Sequence, residues 1–236
     1  MGKRKRNEFL NKHKIRPSSF FLTTALINKN GITAFARRNS DDYELLFSIR
    51  EQEIFEHLDV NPGEVFVDIG ANVGYYTLRA LTKYQGIKVA AIEAHPSTFE
   101  ALKKNIEVNH FDAILINNAV FHTRQQITLY EHGGWSGISS IYRKSDKGIL
   151  VNADTIDNIL AENNISRADV IKMDIEGAEV DALNGASKTM HKCRKIIVEI
   201  HNNNFEKVRS ILTENHFDVN VLADCEFIIG TKVVQR

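Results

Sequence analysis

Three carboxylates in this chain each lie at the end of a short apolar run. Asp68 stands in Val65-Phe66-Val67-Asp68-Ile69, Glu93 follows Val89-Ala90-Ala91-Ile92, and Asp174 follows Val170-Ile171-Lys172-Met173. Such runs read as buried strands, and an acid at a strand's carboxyl end lies on the rim where open α/β sheets bind ligands. Gly70 and Gly74 frame a turn after the first run, and glycine permits backbone angles and close approaches that a Cβ would block. A helical pattern from Gly74 to about Tyr84 starts at this turn, so its free amides and positive dipole end face the same crevice. Glu93 follows Gly70 by 23 residues, the position from which a carboxylate accepts both hydroxyls of a ribose.

The spacing also limits the ligand. The second glycine of a Gly-x-Gly-x-x-Gly fingerprint would fall at Asn72 and the third at Tyr75, and no Gly-x-x-x-x-Gly-Lys occurs, so a diphosphate would approach poorly. S-adenosylmethionine fits better: it carries ribose and adenine without a diphosphate, and its zwitterionic end suits loop amides and Asn72. Asn118 and Ala119 would lie beside the adenine, where a carboxamide both donates and accepts. The blander alternatives are a tight strand-to-helix turn at Gly70 and Gly74, and a strand-ending turn residue at Asn118.

The elements that must position these groups follow from periodicity. Apolar residues recur at helical spacing from Asp41 to Leu58 and from Pro96 to about Asn109, and further helices are expected over Thr155–Ala161, from Gly177 through Leu183, and over Phe205–Leu212. Ala113–Ala119, Gln126–Glu131 and Ile149–Ala153 read as strands, the last at an edge. His132–Ser140 reads as a polar, glycine-rich loop carrying Trp135, either a lid or an ordinary surface excursion. Ile196–His201 reads as a strand with Glu199 and His201 on one face by its period of two. Phe217–Leu222 and Glu226–Val234 close the chain as a hairpin turning near Ala223-Asp224.

Composition sets outer bounds. The 236 residues suffice for one sizeable α/β domain, and 43% hydrophobic with 25% charged residues is ordinary for a globular chain. Thirty basic and thirty acidic residues cancel, which argues against nucleic-acid binding driven by bulk charge. Cys193 and Cys225 form no metal-type cluster, and no apolar run is long enough to span a membrane, so a cytoplasmic, reducing setting is expected. Lys3, Arg4, Lys5, Arg6, Lys12, Lys14 and Arg16 face the single acid Glu8 in residues 1–16. This is either a solvated tail or an arm for an anionic partner, RNA or a lipid-linked phosphate at a membrane surface. Beyond Pro17, residues up to 40 read as a helical or arm-like extension.

Asp68-Ile69-Gly70-Ala71-Asn72-Val73-Gly74-Tyr75-Tyr76-Thr77, Ile92-Glu93-Ala94-His95-Pro96, Asn117-Asn118-Ala119 and Ile171-Lys172-Met173-Asp174-Ile175-Glu176-Gly177-Ala178-Glu179 together resemble the FkbM family of S-adenosylmethionine-dependent methyltransferases. The resemblance covers roughly residues 45 to 201. It implies a class I methyltransferase fold over residues 41–236: Rossmann-like, with a seven-stranded mostly parallel sheet, helices on both faces and a C-terminal antiparallel hairpin. It also implies, as is usual in that family, methylation of a hydroxyl on a sugar or related natural product without naming the acceptor, and a glycan or glycosylated small molecule is the expected one. Asp68, Gly70, Asn72, Gly74 and Thr77 would then hold the methionine part of the donor, Glu93 its ribose, and Asn118 with Ala119 its adenine.

An alcohol is a poor nucleophile at neutral pH, and a carboxylate or imidazole within hydrogen-bond reach can take its proton. Asp174, Glu176 and His201 are the candidates, Asp174 the principal one. Glu176 and Glu179 read equally as helix-start acids, and His201 as a structural histidine. The second mechanism uses Mg²⁺, with Asp174, Glu199 and His201 as its ligands. Two other functions compete: an RNA methyltransferase using the basic arm, and a methyltransferase-like interaction module without catalysis.

Overall fold

A computed structural model describes residues 16–17, 24–29, 31–37, 42–132, 135–222 and 226–233. The apolar runs form the centre of a seven-stranded sheet. Strands β4 (Val65–Ile69), β5 (Lys88–Glu93), β6 (Ile114–Asn117), β11 (Val170–Met173) and β12 (Lys195–Glu199) are parallel, while β14 (Phe227–Lys232) and β13 (Phe217–Leu222) join antiparallel at one edge. Spatial order is β13-β14-β12-β11-β4-β5-β6. The chain leaves β4 toward β5 and β6 on one side and later returns to β11 and β12 on the other. That reversal opens a crevice beyond the carboxyl ends of β4 and β11.

Strands covered on both faces can be apolar throughout. Val67, Ile69, Ile171, Met173, Ile196 and Val198 pack under α5 (Ile156–Glu162), α6 (Glu179–Asn184), α7 (Ser187–Lys192) and α8 (Phe205–Glu214). On the opposite face Phe66, Val170 and Ile197 meet Ile54 and Phe55 of α2 (Ile49–Phe55) and Tyr75, Tyr76 and Ala80 of α3 (Tyr75–Lys83). The expected architecture and closing hairpin are therefore present; the hairpin's turn at 223–225 lies outside the described residues.

Several local expectations are corrected. The helix read over Asp41–Leu58 is two, α1 (Asp42–Phe47) and α2. Ser48 takes extended angles between them, and its hydroxyl caps α2 by accepting from Glu51 N. Where a helical or arm-like extension is expected, β2 (Thr24–Lys29) and β3 (Ile32–Arg37) form an antiparallel hairpin, with β1 (Arg16–Pro17) alongside. The outer edge of β3 is covered by α4 (Pro96–Val108) and the residue after it. Asn105 and Asn109, one turn apart, pair their carboxamides with the backbone of Phe35 and Thr33, accepting from Phe35 N at 2.6 Å and Thr33 N at 2.8 Å. Asn105 Nδ2 also donates to Val73 O at 2.8 Å, in the glycine turn. The basic run through Lys14 lies outside the described residues.

A second sheet, β7-β10-β8-β9, comprises β7 (Ala119–Val120), β8 (Gln125–His132), β9 (Trp135–Ser140) and β10 (Gly148–Asp154). Most of the expected loop over His132–Ser140 is thus a strand paired antiparallel with β8, and β10 is interior where an edge strand is expected. Ala119, Leu129, Val151 and Ala153 give this sheet its own buried cluster, which the sequence pattern alone does not separate from the main core. The expected third strand ends at Asn117, and Asn118 is the step to the second sheet. Among the described residues no helix is long and apolar enough to cross a membrane.

Candidate active site

The turn after β4 is stitched to β5. Gly70 N and Ala71 N both donate to Ile92 O, at 2.9 and 3.0 Å. Gly70 has φ +76°, and a Cβ there would meet Asp174 O at 1.7 Å, so β4 and β11 approach here as only glycine allows. Glu93 is buried and holds both sides of the turn: one carboxylate oxygen accepts from Asn72 N at 2.9 Å, the other from His95 N at 2.8 Å. Burial pushes its carboxyl above the usual range, against those two amides. His95, also buried, reaches across to Glu131 of β8, Nε2 to Oε1 at 2.8 Å, tying the second sheet to this loop.

Beyond β11 the chain carries Asp174, Ile175, Glu176 and Gly177, the last two in left-handed conformations at φ 52° and 109°. At Gly177 a Cβ would lie 2.0 Å from Asn202 Nδ2. Asp174, Glu176 and His201 each offer a ligand-type atom within 4.8 Å of the others. Glu179, fully buried, accepts from Gly177 N at 2.8 Å, from Asn204 Nδ2 at 3.0 Å and from His201 Nδ1 at 2.9 Å. These contacts leave His201 Nε2 toward Glu176, at 3.6 Å.

The charges of this group are interdependent. Burial favours protonated Asp174, but the ammonium of Lys172, 3.2 Å away, and His201 outweigh it and hold the carboxyl below its ordinary value. Glu176 is pushed up to about 7 by burial and by the Asp174 charge. His201 loses by burial and gains more from Glu179, Asp174 and Glu176, which carry it up to about 9. At neutral pH the trio is an anion, a half-titrated acid and an imidazolium.

An open cleft, whose empty space with its solvent-filled mouth included is about 680 Å³, joins the two ends. Gly70, Asn72, Glu93, Asn118, Ala119, Asp174 and Glu176 line it, and Ile127, Leu129, Ser139 and Ile141 of the second sheet and its exit wall the rest. Asp68, Gly74 and Thr77 do not line it. Asp68 accepts from Thr77 N at 3.1 Å and Thr77 Oγ1 at 2.6 Å, which fixes the start of α3, and Gly74 is that helix's N-cap at φ 98°. Glu199 is displaced from the expected ligand set, since β12 ends with it and the alternation that would align it with His201 stops there. Its carboxylate meets Arg50 of α2 at 2.9 Å, and Glu176 takes its place in the trio.

Three groups escape the sequence reading. Lys172 is hidden inside an apolar run, although a lysine within a buried strand is itself a signal. Glu179 reads as a helix-start acid, and Ser139 belongs to a strand read as loop. Three residues lining the same cavity carry buried polar atoms without a partner: Asn72 Oδ1, Ser139 Oγ and Asp174 Oδ1.

The family model described as Methyltransferase FkbM domain matches residues 68–220. The chain is 23% identical over 207 residues to the hexuronic acid methyltransferase AglP of Haloferax volcanii, covering 84% of this chain and 85% of that protein. It is 25% identical over 214 residues to the 31-O-demethyl-FK506 methyltransferase FkbM of Streptomyces tacrolimicus, covering 73% and 79%. Among solved structures, the precorrin-6y C5,15-methyltransferase of Geobacter metallireducens is similar with a TM-score of 0.53 at 12% identity, over 80% of this chain and 91% of that one.

Proposed function

The chain belongs to the FkbM methyltransferase family, and from that premise we propose that it methylates a hydroxyl of a glycan or glycosylated small molecule, with S-adenosylmethionine as donor. One observation carries the reading. The same cavity holds a carboxylate suited to a ribose, Glu93, and, beyond Gly70, a group suited to deprotonating an alcohol, Glu176. The residues fit such a donor on their own chemistry: Asn72 Oδ1, Ser139 Oγ and Asp174 Oδ1 lack partners, and an acidic wall favours a cationic ligand. When bound, the donor supplies an electrophilic methyl group on a sulfonium.

The chain's own residues divide the remaining work. Glu93 would orient the ribose and Asn118 with Ala119 flank the base. Glu176, near neutrality, is better matched to general-base catalysis than the more acidic Asp174, the principal candidate by sequence. Asp174 would stay anionic and hold charge beside the acceptor. His201 would serve as an imidazolium that balances the two acids.

Mg²⁺ fits this donor set poorly. A dication on Asp174 would sit beside the Lys172 ammonium, 3.2 Å from that carboxylate, and would have to displace the proton of His201. We therefore take the reaction as metal-independent.

Two relatives support the acceptor class by their names, one a hexuronic acid methyltransferase and the other acting on a 31-O-demethyl compound. The buried free thiol of Cys193 supports a cytoplasmic setting. Incubation with methyl-labelled S-adenosylmethionine and separate fractions of cell glycans, glycolipids and RNA tests the proposal. Label in glycan or glycolipid supports it. Label in RNA alone would move the function to the nucleic-acid reading, and donor binding without transfer to any fraction would favour an interaction module.

A further inference from the structure

At the rim of the cleft the ring of Tyr142 stands half in solvent, 51% exposed. It follows Ile141, which lines the cleft, and it touches the residue after Glu176, which also lines it. Tyr142 Cδ2 lies 3.7 Å from the point where a Cβ on Gly177 would stand. Exposure alone decides nothing, because single apolar residues are common on protein surfaces. What sets Tyr142 apart is how it is held.

Its hydroxyl donates to Asp181 Oδ2 of α6, and the other oxygen of that carboxylate meets His122 Nδ1 at 2.8 Å. His122 in turn packs against Phe121, with ring centroids 4.2 Å apart. At the backbone end, Tyr142 N and Arg143 N both donate to Ser140 Oγ, at 3.3 and 3.4 Å, and that hydroxyl donates to Glu176 O at 2.9 Å. The ring is therefore tied at its tip to α6 and at its root to the loop that carries the proposed base. A side chain pinned at both ends has little rotamer freedom left to lose when a ligand covers it.

We infer that Tyr142 is an acceptor-binding residue, a platform against which a pyranose ring packs its C–H face, with Asp181 and His122 as the residues that position it. A sugar has apolar C–H faces and a rim of hydroxyls, which suits an aromatic face bordered by a carboxylate and an imidazole. A wholly apolar ligand would cover those polar groups without pairing them. Asp174, Glu176 and Asp181 offset Arg143 and Lys144, which follow the ring, so no positive face offers itself to a nucleic-acid backbone. That the sugar held here is the one methylated rests on the function proposed above; the platform itself does not.

Methyl transfer from labelled S-adenosylmethionine to the cell glycan fraction is followed against glycan concentration in wild type, Tyr142→Ala and Tyr142→Phe. Tyr142→Ala should raise the apparent KM for glycan about 10-fold, with little change in kcat or in the KM for the donor. Tyr142→Phe keeps the ring and loses the bond to Asp181, and should raise it about threefold. A merely structural tyrosine would lower the melting temperature without moving the glycan KM. An unchanged glycan KM in Tyr142→Ala, or a fall in kcat alone, overturns the inference and leaves the proposed function standing. Independently of turnover, the full chain carrying ¹³C-labelled tyrosine is titrated with the same oligosaccharides and with RNA. Oligosaccharide should move the ring signal that is missing from Tyr142→Phe, and RNA should not. A signal that moves with RNA alone, or with neither, overturns the inference. A signal moved by oligosaccharide in a protein that transfers no methyl group would instead overturn the proposed function and leave the platform standing.

Discussion

His201 and the fully buried Glu179 share a 2.9 Å hydrogen bond through Nδ1, which fixes the ring so that Nε2 faces Glu176. Glu179→Gln should therefore lower the His201 pKa from about 9 toward its ordinary value, as read from imidazole NMR shifts. Because the folded value lies above the unfolded one, the charged pair stabilises fully below about pH 6.5. That contribution fades as pH rises through about 9. Denaturation midpoints of wild type and Glu179→Gln should converge in alkali; a constant gap would contradict the linkage.

Glu176 must be ionised to accept a proton, and its carboxyl is pushed up to about 7. The rate of methyl transfer should rise with pH through that value and then level. Glu176→Gln should reduce kcat by about 10²- to 10⁴-fold and abolish the acid limb. A limb that persists in Glu176→Gln would return the role of base to Asp174.

Glu93→Ala should weaken S-adenosylmethionine binding by about 10- to 100-fold, the worth of one hydrogen bond to a charged group. Calorimetry measures it, and an unchanged affinity would refute the ribose assignment. The variant should also melt earlier, since Asn72 N and His95 N lose their acceptor.

Gly70→Ala places a methyl group 1.7 Å from the Asp174 carbonyl at a φ of +76°. The expected loss is about 3 kcal/mol or more of stability, seen as a lower denaturant midpoint. The comparison is Gly63→Ala, which meets no atom within 4 Å and pays only the backbone strain of φ +82°.

Prolonged dialysis against a chelator should leave methyl transfer intact, because Lys172 and His201 already balance the acids of the centre. Activity lost to the chelator and restored by Mg²⁺ would restore the metal mechanism.

Much of this site was legible from residues because its signals are local. A carboxylate ending an apolar run and a glycine pair at a turn survive any rearrangement elsewhere, so Gly70, Asn72, Glu93 and Asp174 meet in one cavity as their spacing implies. The misses came from long-range effects. Glu199 and His201 share a face only while the strand continues, and it ends between them. Trp135–Ser140 has loop-like neighbours and becomes a strand only through pairing with β8. Thr24–Arg37 owes part of its place to carboxamides about 70 positions away, on Asn105 and Asn109.

That clasp has a mechanical corollary. Asn105 grips Phe35 with its oxygen and Val73 with its nitrogen, so one side chain rivets the N-terminal hairpin to the bend that would cradle the methyl donor. Whatever tugs on that hairpin therefore also tugs on the bend at Val73.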